Sequence, residues 1–182
     1  MIQPATDLGQ TRRWSLLGRD GSAGDSLRHP LILAMLVLWV VNDHILKSAF
    51  ANTWTGKLSD IASLAVFPLL PVCAYELMCA FRDRPAHGVR ALLHMSLFAT
   101  GAVMVGINIS ESCAELYRVG LGAAQWPFRA LWGVLLEDGA PPLHRVLLTM
   151  DPTDLWTLPG LVIPWWVGRD QSGSLSREET PL

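Results

Sequence analysis

Apolar residues along this chain fall in long blocks rather than in the short alternations of a strand or the one-sided stripes of a soluble helix. Three blocks of roughly 20 residues, Leu31–Phe50, Leu58–Phe81 and Ala91–Ser110, match the length a helix needs to cross about 30 Å of hydrocarbon. A fourth, Pro152–Gly168, is shorter and sits at the lower limit of a crossing. The pattern predicts an all-α integral membrane bundle of four transmembrane helices, with spans at 31–50, 58–81, 91–110 and 152–168. Residues 1–28 and 170–182 read as disordered cytoplasmic tails flanking a membrane domain over 29–169.

The segment 111–150 carries its own periodicity. Phe128, Leu131, Trp132 and Leu135 are spaced i, i+3, i+4, i+7, and so are Leu143, Val146, Leu147 and Met150. Two short amphipathic helices are expected there, lying on the outer surface or capping the bundle. Prolines mark the span boundaries and bends. Pro30 suits a first helical turn, Asp151-Pro152-Thr153-Asp154 has an N-cap acid followed by proline, and Pro68, Pro71, Pro159 and Pro164 imply kinks.

Charge sets the expected orientation. With four spans, Arg12, Arg13, Arg19, Arg28, Arg82, Arg84, Arg90, Arg169 and Arg177 all fall on one side, which the preference for cytoplasmic positive charge makes the inside. Three or five spans would divide them. Trp54, Trp126 and Trp156 then lie at the outer interface and Trp165-Trp166 at the inner one. The inferred location is a bacterial inner membrane, multi-pass, with both termini cytoplasmic.

Composition agrees with this and removes other classes. The chain is 51% hydrophobic and 16% charged, with a mean hydropathy of +0.31. A net charge of −2 and the lack of a basic stripe argue against nucleic acid as a partner. Cys73, Cys79 and Cys113 form no C-x-x-C or Cys/His cluster, so no metal and no cofactor are expected; Cys73 and Cys79 read as buried small hydrophobes and Cys113 as unpaired. A signal peptide around Arg12-Arg13 is set aside, because the acids Asp20 and Asp25 intervene and the apolar run ends in Asn42-Asp43-His44. No G-x-S-x-G, H-E-x-x-H or phosphate-cradling glycine loop is present.

The candidate chemistry lies where polar residues are most costly. Counted from Pro30 at 1.5 Å per residue, Asn42, Asp43 and His44 lie about 18–21 Å into a core of about 30 Å, and ionisable groups there must face protein or water. Lys47 follows Asp43 at i+4, and Lys57 precedes Asp60 at i+3, with Ser59 beside it. Asp151 and Asp154 open span four. An up-down bundle brings Asn42, Asp43, His44, Lys47, Lys57, Ser59, Asp60, Asp151 and Asp154 to one face, and Asn108 joins them. Both lysines of the chain belong to this set, against twelve arginines elsewhere. The set reads either as ion-pair clips that fix helix register or as a binding site. Glu76 and His94, near the inner ends of spans two and three, read as satisfied polar groups.

The strings Asn-Asp-His-x-Leu-Lys (42–47), Thr-Gly-Lys-Leu-Ser-Asp (55–60) with Phe67-Pro68-Leu69-Leu70 beyond, and Asp-Pro-Thr-Asp-Leu (151–155) resemble an uncharacterised family of bacterial multi-pass integral membrane proteins. The resemblance covers spans one, two and four and implies a membrane fold without an activity; Ser63 stands where similar sequences would have glycine. The expected role is an accessory or scaffold component that has the lipid bilayer and a membrane protein as partners. The alternative is an enzyme or binder acting on a lipid headgroup or periplasmic ligand, with proton or ion transport ranked below both.

Overall fold

A computed structural model describes residues 23–50, 53–136 and 139–175. Among them the structure is all helical, without strands. In chain order the helices are α1 (Asp25–Arg28), α2 (Pro30–Val41), a π turn (Asn42–Leu46) that runs into α3 (Lys47–Ala49), α4 (Thr53–Val66), α5 (Leu69–Phe81), α6 (Val89–Ile109), α7 (Glu111–Leu136), a 3-10 helix (Pro152–Leu161) and α8 (Val162–Leu175).

Four rods alternate in direction. α2 with its π turn and α3 forms the first, and α4 with α5 the second. The second rod bends at Phe67-Pro68, where proline removes a helical N–H and Leu70 donates instead to the Phe67 carbonyl at 3.2 Å. α6 is the third, and the 3-10 helix with α8 is the fourth. At one end His29, which caps α2, meets the edge of Trp166 with centroids 5.9 Å apart, and Arg169 lies 4.8 Å over Trp165. At the other end the starts of α4 and the 3-10 helix meet the ends of α2 and α6.

The apolar core sits toward the first of these ends. Ile32, Val66, Leu69, Val72, Leu93 and Val167 come from all four rods and close on one another. Around this small core the surface is apolar: among the described residues 32 large hydrophobic side chains are exposed against 11 buried hydrophobic residues, three of those being alanines. That inversion is far beyond the scattered exposed leucines of a water-soluble protein. Two helices, Trp54–Phe81 taken across its bend and Val89–Ile109, are long and apolar enough to cross a membrane, and Pro30–Leu46 is a shorter apolar helix.

Several expected boundaries move. Span two starts earlier than residue 58, at Thr53. The fourth segment starts at Pro152 as expected, but its first ten residues are 3-10 rather than α, and Pro159 within them has no N–H for an α-helical bond. At about 2.0 Å per residue instead of 1.5 Å, the 3-10 part lengthens the segment 152–168 from about 26 Å to about 30 Å. Residues 23–28 are not part of a disordered tail: α1 is docked, Asp25 and Ser26 are buried, and the Gly24 N–H donates to Glu76 Oε2 at 2.9 Å. Gly24 holds φ at +84°, a conformation side chains resist, with Cys73 Sγ against it. The helix α8 likewise runs past Gly168 to Leu175, into the expected C-terminal tail. Residues 1–22 and 176–182 lie outside the described residues.

The largest correction concerns 111–150. Its first part is the single 26-residue helix α7, and residues 141–150, where a second amphipathic helix was expected, have no helical structure. The hydrogen bonds of that stretch go to α7 instead. Val146 N–H donates to the Arg118 carbonyl at 3.1 Å, the Arg118 guanidinium donates to the Leu148 carbonyl at 3.0 and 3.3 Å, and Trp126 Nε1 donates to the Pro141 carbonyl at 2.9 Å. This strap returns along α7 so closely that the His144 and Gly139 carbonyls lie against the α-carbons of Gly122 and Gly133.

A β-carbon at Gly122 would collide with the His144 carbonyl, a backbone atom that cannot swing aside. Gly122→Ala is expected to lift the strap, seen as a several-fold rise in limited proteolysis within 139–150, while Gly120→Ala, which has open space, leaves cleavage unchanged. Equal cleavage rates in the two variants would show that the strap is not seated by this contact.

Candidate functional site

The site is built at the end of the bundle opposite the core, and its first element is the π turn. Lys47 N–H reaches back five residues to the Asn42 carbonyl, so this turn holds one more residue than an α turn. The extra residue lets two consecutive side chains both reach α4. Asn42 Nδ2 donates to the Thr55 carbonyl at 2.7 Å, and Asp43 Oδ1 accepts from Ser59 Oγ at 2.7 Å. Lys47 Nζ pairs with the same Asp43 oxygen at 2.7 Å, but both side chains are over one-third exposed, which makes this pair a weak fastener. Asn42 is fully buried, and its Oδ1 has no hydrogen-bond donor among the described residues.

The second element joins α4 to the 3-10 helix. Lys57 Nζ donates to Thr153 Oγ1 at 2.7 Å and to Asp154 Oδ1 at 3.0 Å, with side chains only 21% and 23% exposed for the ion pair. Thr153 in turn donates through both its hydroxyl (2.7 Å) and its N–H (2.9 Å) to Asp151 Oδ1, which caps the 3-10 helix. These two donors, the hydroxyl first, hold the Asp151 carboxyl below the ordinary carboxylate value. Asn108, buried near the end of α6, accepts the Asp151 N–H at 3.1 Å and donates to the Met104 carbonyl at 3.0 Å. A single chain of polar contacts thus runs from α6 through the 3-10 helix to α4.

Asp60 stands between the two pairs, within Coulomb range of Asp43, Lys47, Lys57 and Asp154. The expected pairing of Lys57 with Asp60 along α4 is not made, because Lys57 reaches across to Asp154 instead. The Asp60 carboxylate, half-buried, is left without a hydrogen bond or ion pair among the described residues. His44 lies on the π turn with an exposed side chain. The structure therefore brings Asn42, Asp43, Lys47 and Ser59 to one side of α4's first turns and Lys57, Asp151 and Asp154 to the other, with Asp60 between them. Thr153 is the participant that sequence reasoning missed. Its position inside Asp-Pro-Thr-Asp, two residues after an N-cap acid, was the available signal.

Chemically the group holds four carboxylates against two ammonium groups, most of them spent on one another. Among the described residues no cluster of three or more His, Cys, Asp or Glu side chains is placed to hold a metal ion. At the opposite end Glu76 is occupied by the Gly24 amide, and His94 is exposed.

A double-mutant cycle on Lys57→Met and Asp154→Asn, read by unfolding in detergent, tests the cross-bundle clip. Each single change is expected to cost about 1–3 kcal/mol by stranding its partner, and the double variant to recover about 1 kcal/mol of the sum. Strict additivity would mean that the pair carries no coupling.

No protein-family model, curated protein or solved structure matches this chain.

Proposed function

We propose that this chain is a four-span integral membrane protein, with both termini in the cytoplasm, that serves as an accessory or scaffold component of a bacterial inner membrane. The observation that carries the reading is the inverted surface, on which exposed large hydrophobic side chains far outnumber the buried hydrophobic residues. Such a surface suits acyl chains, where helices are held together by close packing and internal polar contacts rather than by exclusion of water. The Lys57–Asp154 pair and the Asn42–Thr55 and Asp43–Ser59 hydrogen bonds then act as register clips at the outer face, and Trp54 and Trp156, 80% and 82% exposed, fit the headgroup level at that end. Trp165, Trp166 and Arg169 fit the inner one.

Reporter fusions after residues 54, 86, 130 and 175 test the topology. Periplasmic signals are expected at 54 and 130 and cytoplasmic signals at 86 and 175. A periplasmic signal at 86 would overturn the four-span arrangement.

A second reading, binding of a lipid headgroup or periplasmic ligand, is favoured by one observation. Asp60 Oδ and the buried Asn42 Oδ1 are acceptors without donors among the described residues, next to the clips. Purification in native lipid followed by mass spectrometry separates the two readings. The scaffold predicts a stoichiometric partner protein. One enriched lipid class, lost on Asp60→Asn, would replace it by the binder.

A further inference from the structure

The hairpin formed by α7 and its strap has no core of its own. The strap covers the flank of α7 that holds Gly122 and Gly133, and the charged groups gather beside it: Arg118 donates to Glu111 at 2.6 Å and to Glu115 at 3.4 Å, and Arg145 pairs with Glu115. Among the described residues nothing covers the other flank. By 3.6-residue spacing Leu116, Val119, Leu131, Val134 and Leu135 share one face of α7, and they are 39–74% exposed.

What covers that flank follows from where the hairpin is attached. Both of its ends are held by the last turns of α6. Glu111 follows Ile109 after the single residue Ser110, Cys113 stands against Gly106, and Ala114 is fully buried. The far end of the strap returns to Asp151, whose N–H is fixed by the Asn108 side chain. The base of the hairpin is therefore at the level of the polar cluster and of exposed Trp54 and Trp156. Large apolar side chains are exposed on both sides of this junction, Phe98 and Ile109 on one face of α6 and Leu116 and Val119 on α7. A helix carrying Glu111, Glu115, Arg118, Gln125 and Arg129 is too polar to be another crossing.

We infer that the α7–strap hairpin is an interfacial membrane element, lying in the leaflet at the polar-cluster end with its Leu116–Leu135 face among the acyl chains and its strap flank toward water. The inference rests on the membrane reading above and adds a second, lateral contact with lipid.

The test uses the full chain in liposomes of phosphatidylethanolamine and phosphatidylglycerol, with Cys73→Ala, Cys79→Ala and Cys113→Ser, and single nitroxide labels at 116, 131, 135 or 129. Accessibility to oxygen, which concentrates in acyl chains, is compared with that to a water-soluble nickel chelate. The oxygen-to-nickel ratio is expected to be several-fold higher at 116, 131 and 135 than at 129. A low ratio at all four positions would overturn the inference, and so would poor access of both reagents at 131 and 135, which marks a covering protein. Labels at 37 and 98, on α2 and α6, keep the two readings apart: high ratios there with low ratios at 131 and 135 sink the hairpin placement alone, whereas low ratios at 37 and 98 sink the membrane reading. In the chain with its native cysteines, Leu131→Asp with Leu135→Asp is expected to raise external tryptic cleavage at Arg129 several-fold, and unchanged cleavage counts against the inference.

Discussion

The ammonium group of Lys57, held between the Thr153 hydroxyl and the Asp154 carboxylate, joins segments almost a hundred residues apart. Much of the architecture at this end depends on it. It fixes the start of α4 against the start of the 3-10 helix. Thr153 passes the constraint to Asp151, and Asp151 passes it to Asn108 at the end of α6. Paired donors and acceptors of this kind are the condition for keeping polar groups among helices whose other surfaces are apolar.

The two ends of the bundle are held by different physics. At the arginine end, branched side chains from every rod fill the core around Leu69 and Leu93, and α1 is pinned by the Gly24–Glu76 contact. Toward the polar end packing depends on small residues: Gly160 lies against Ile61, Gly101 against Leu161, and Ala62 and Ala65 are fully buried. Close backbone approach there leaves little apolar volume to hold register, and directional polar contacts supply it. The π turn serves the same end, since the one added residue turns Asn42 and Asp43 together onto α4.

The α7 hairpin follows another rule. Its strap is tied to the helix through the Val146 N–H and the Leu148 and Pro141 carbonyls, while its large side chains remain outside.

Block hydrophobicity in the sequence was enough to determine an all-helical chain, the third rod almost to the residue at Val89–Ile109, and the gathering of Lys57, Asp151 and Asp154 at one end, because length, composition and alternating direction are properties of the chain itself. The Asp43–Lys47 pair was also legible, since i, i+4 geometry is local. The choice of Asp154 over Asp60 by Lys57 was not, because it depends on how close two rods come. Nor was the fate of Leu143–Met150: its helical spacing is real, but Arg118 and the bare glycines of α7 offer the backbone partners in an extended strap. The same holds for Gly24–Arg28, whose polar composition reads as a tail until Glu76 supplies an acceptor. In each case local pattern set what a segment can do, and the hydrogen-bond partners brought in from distant residues decided what it does.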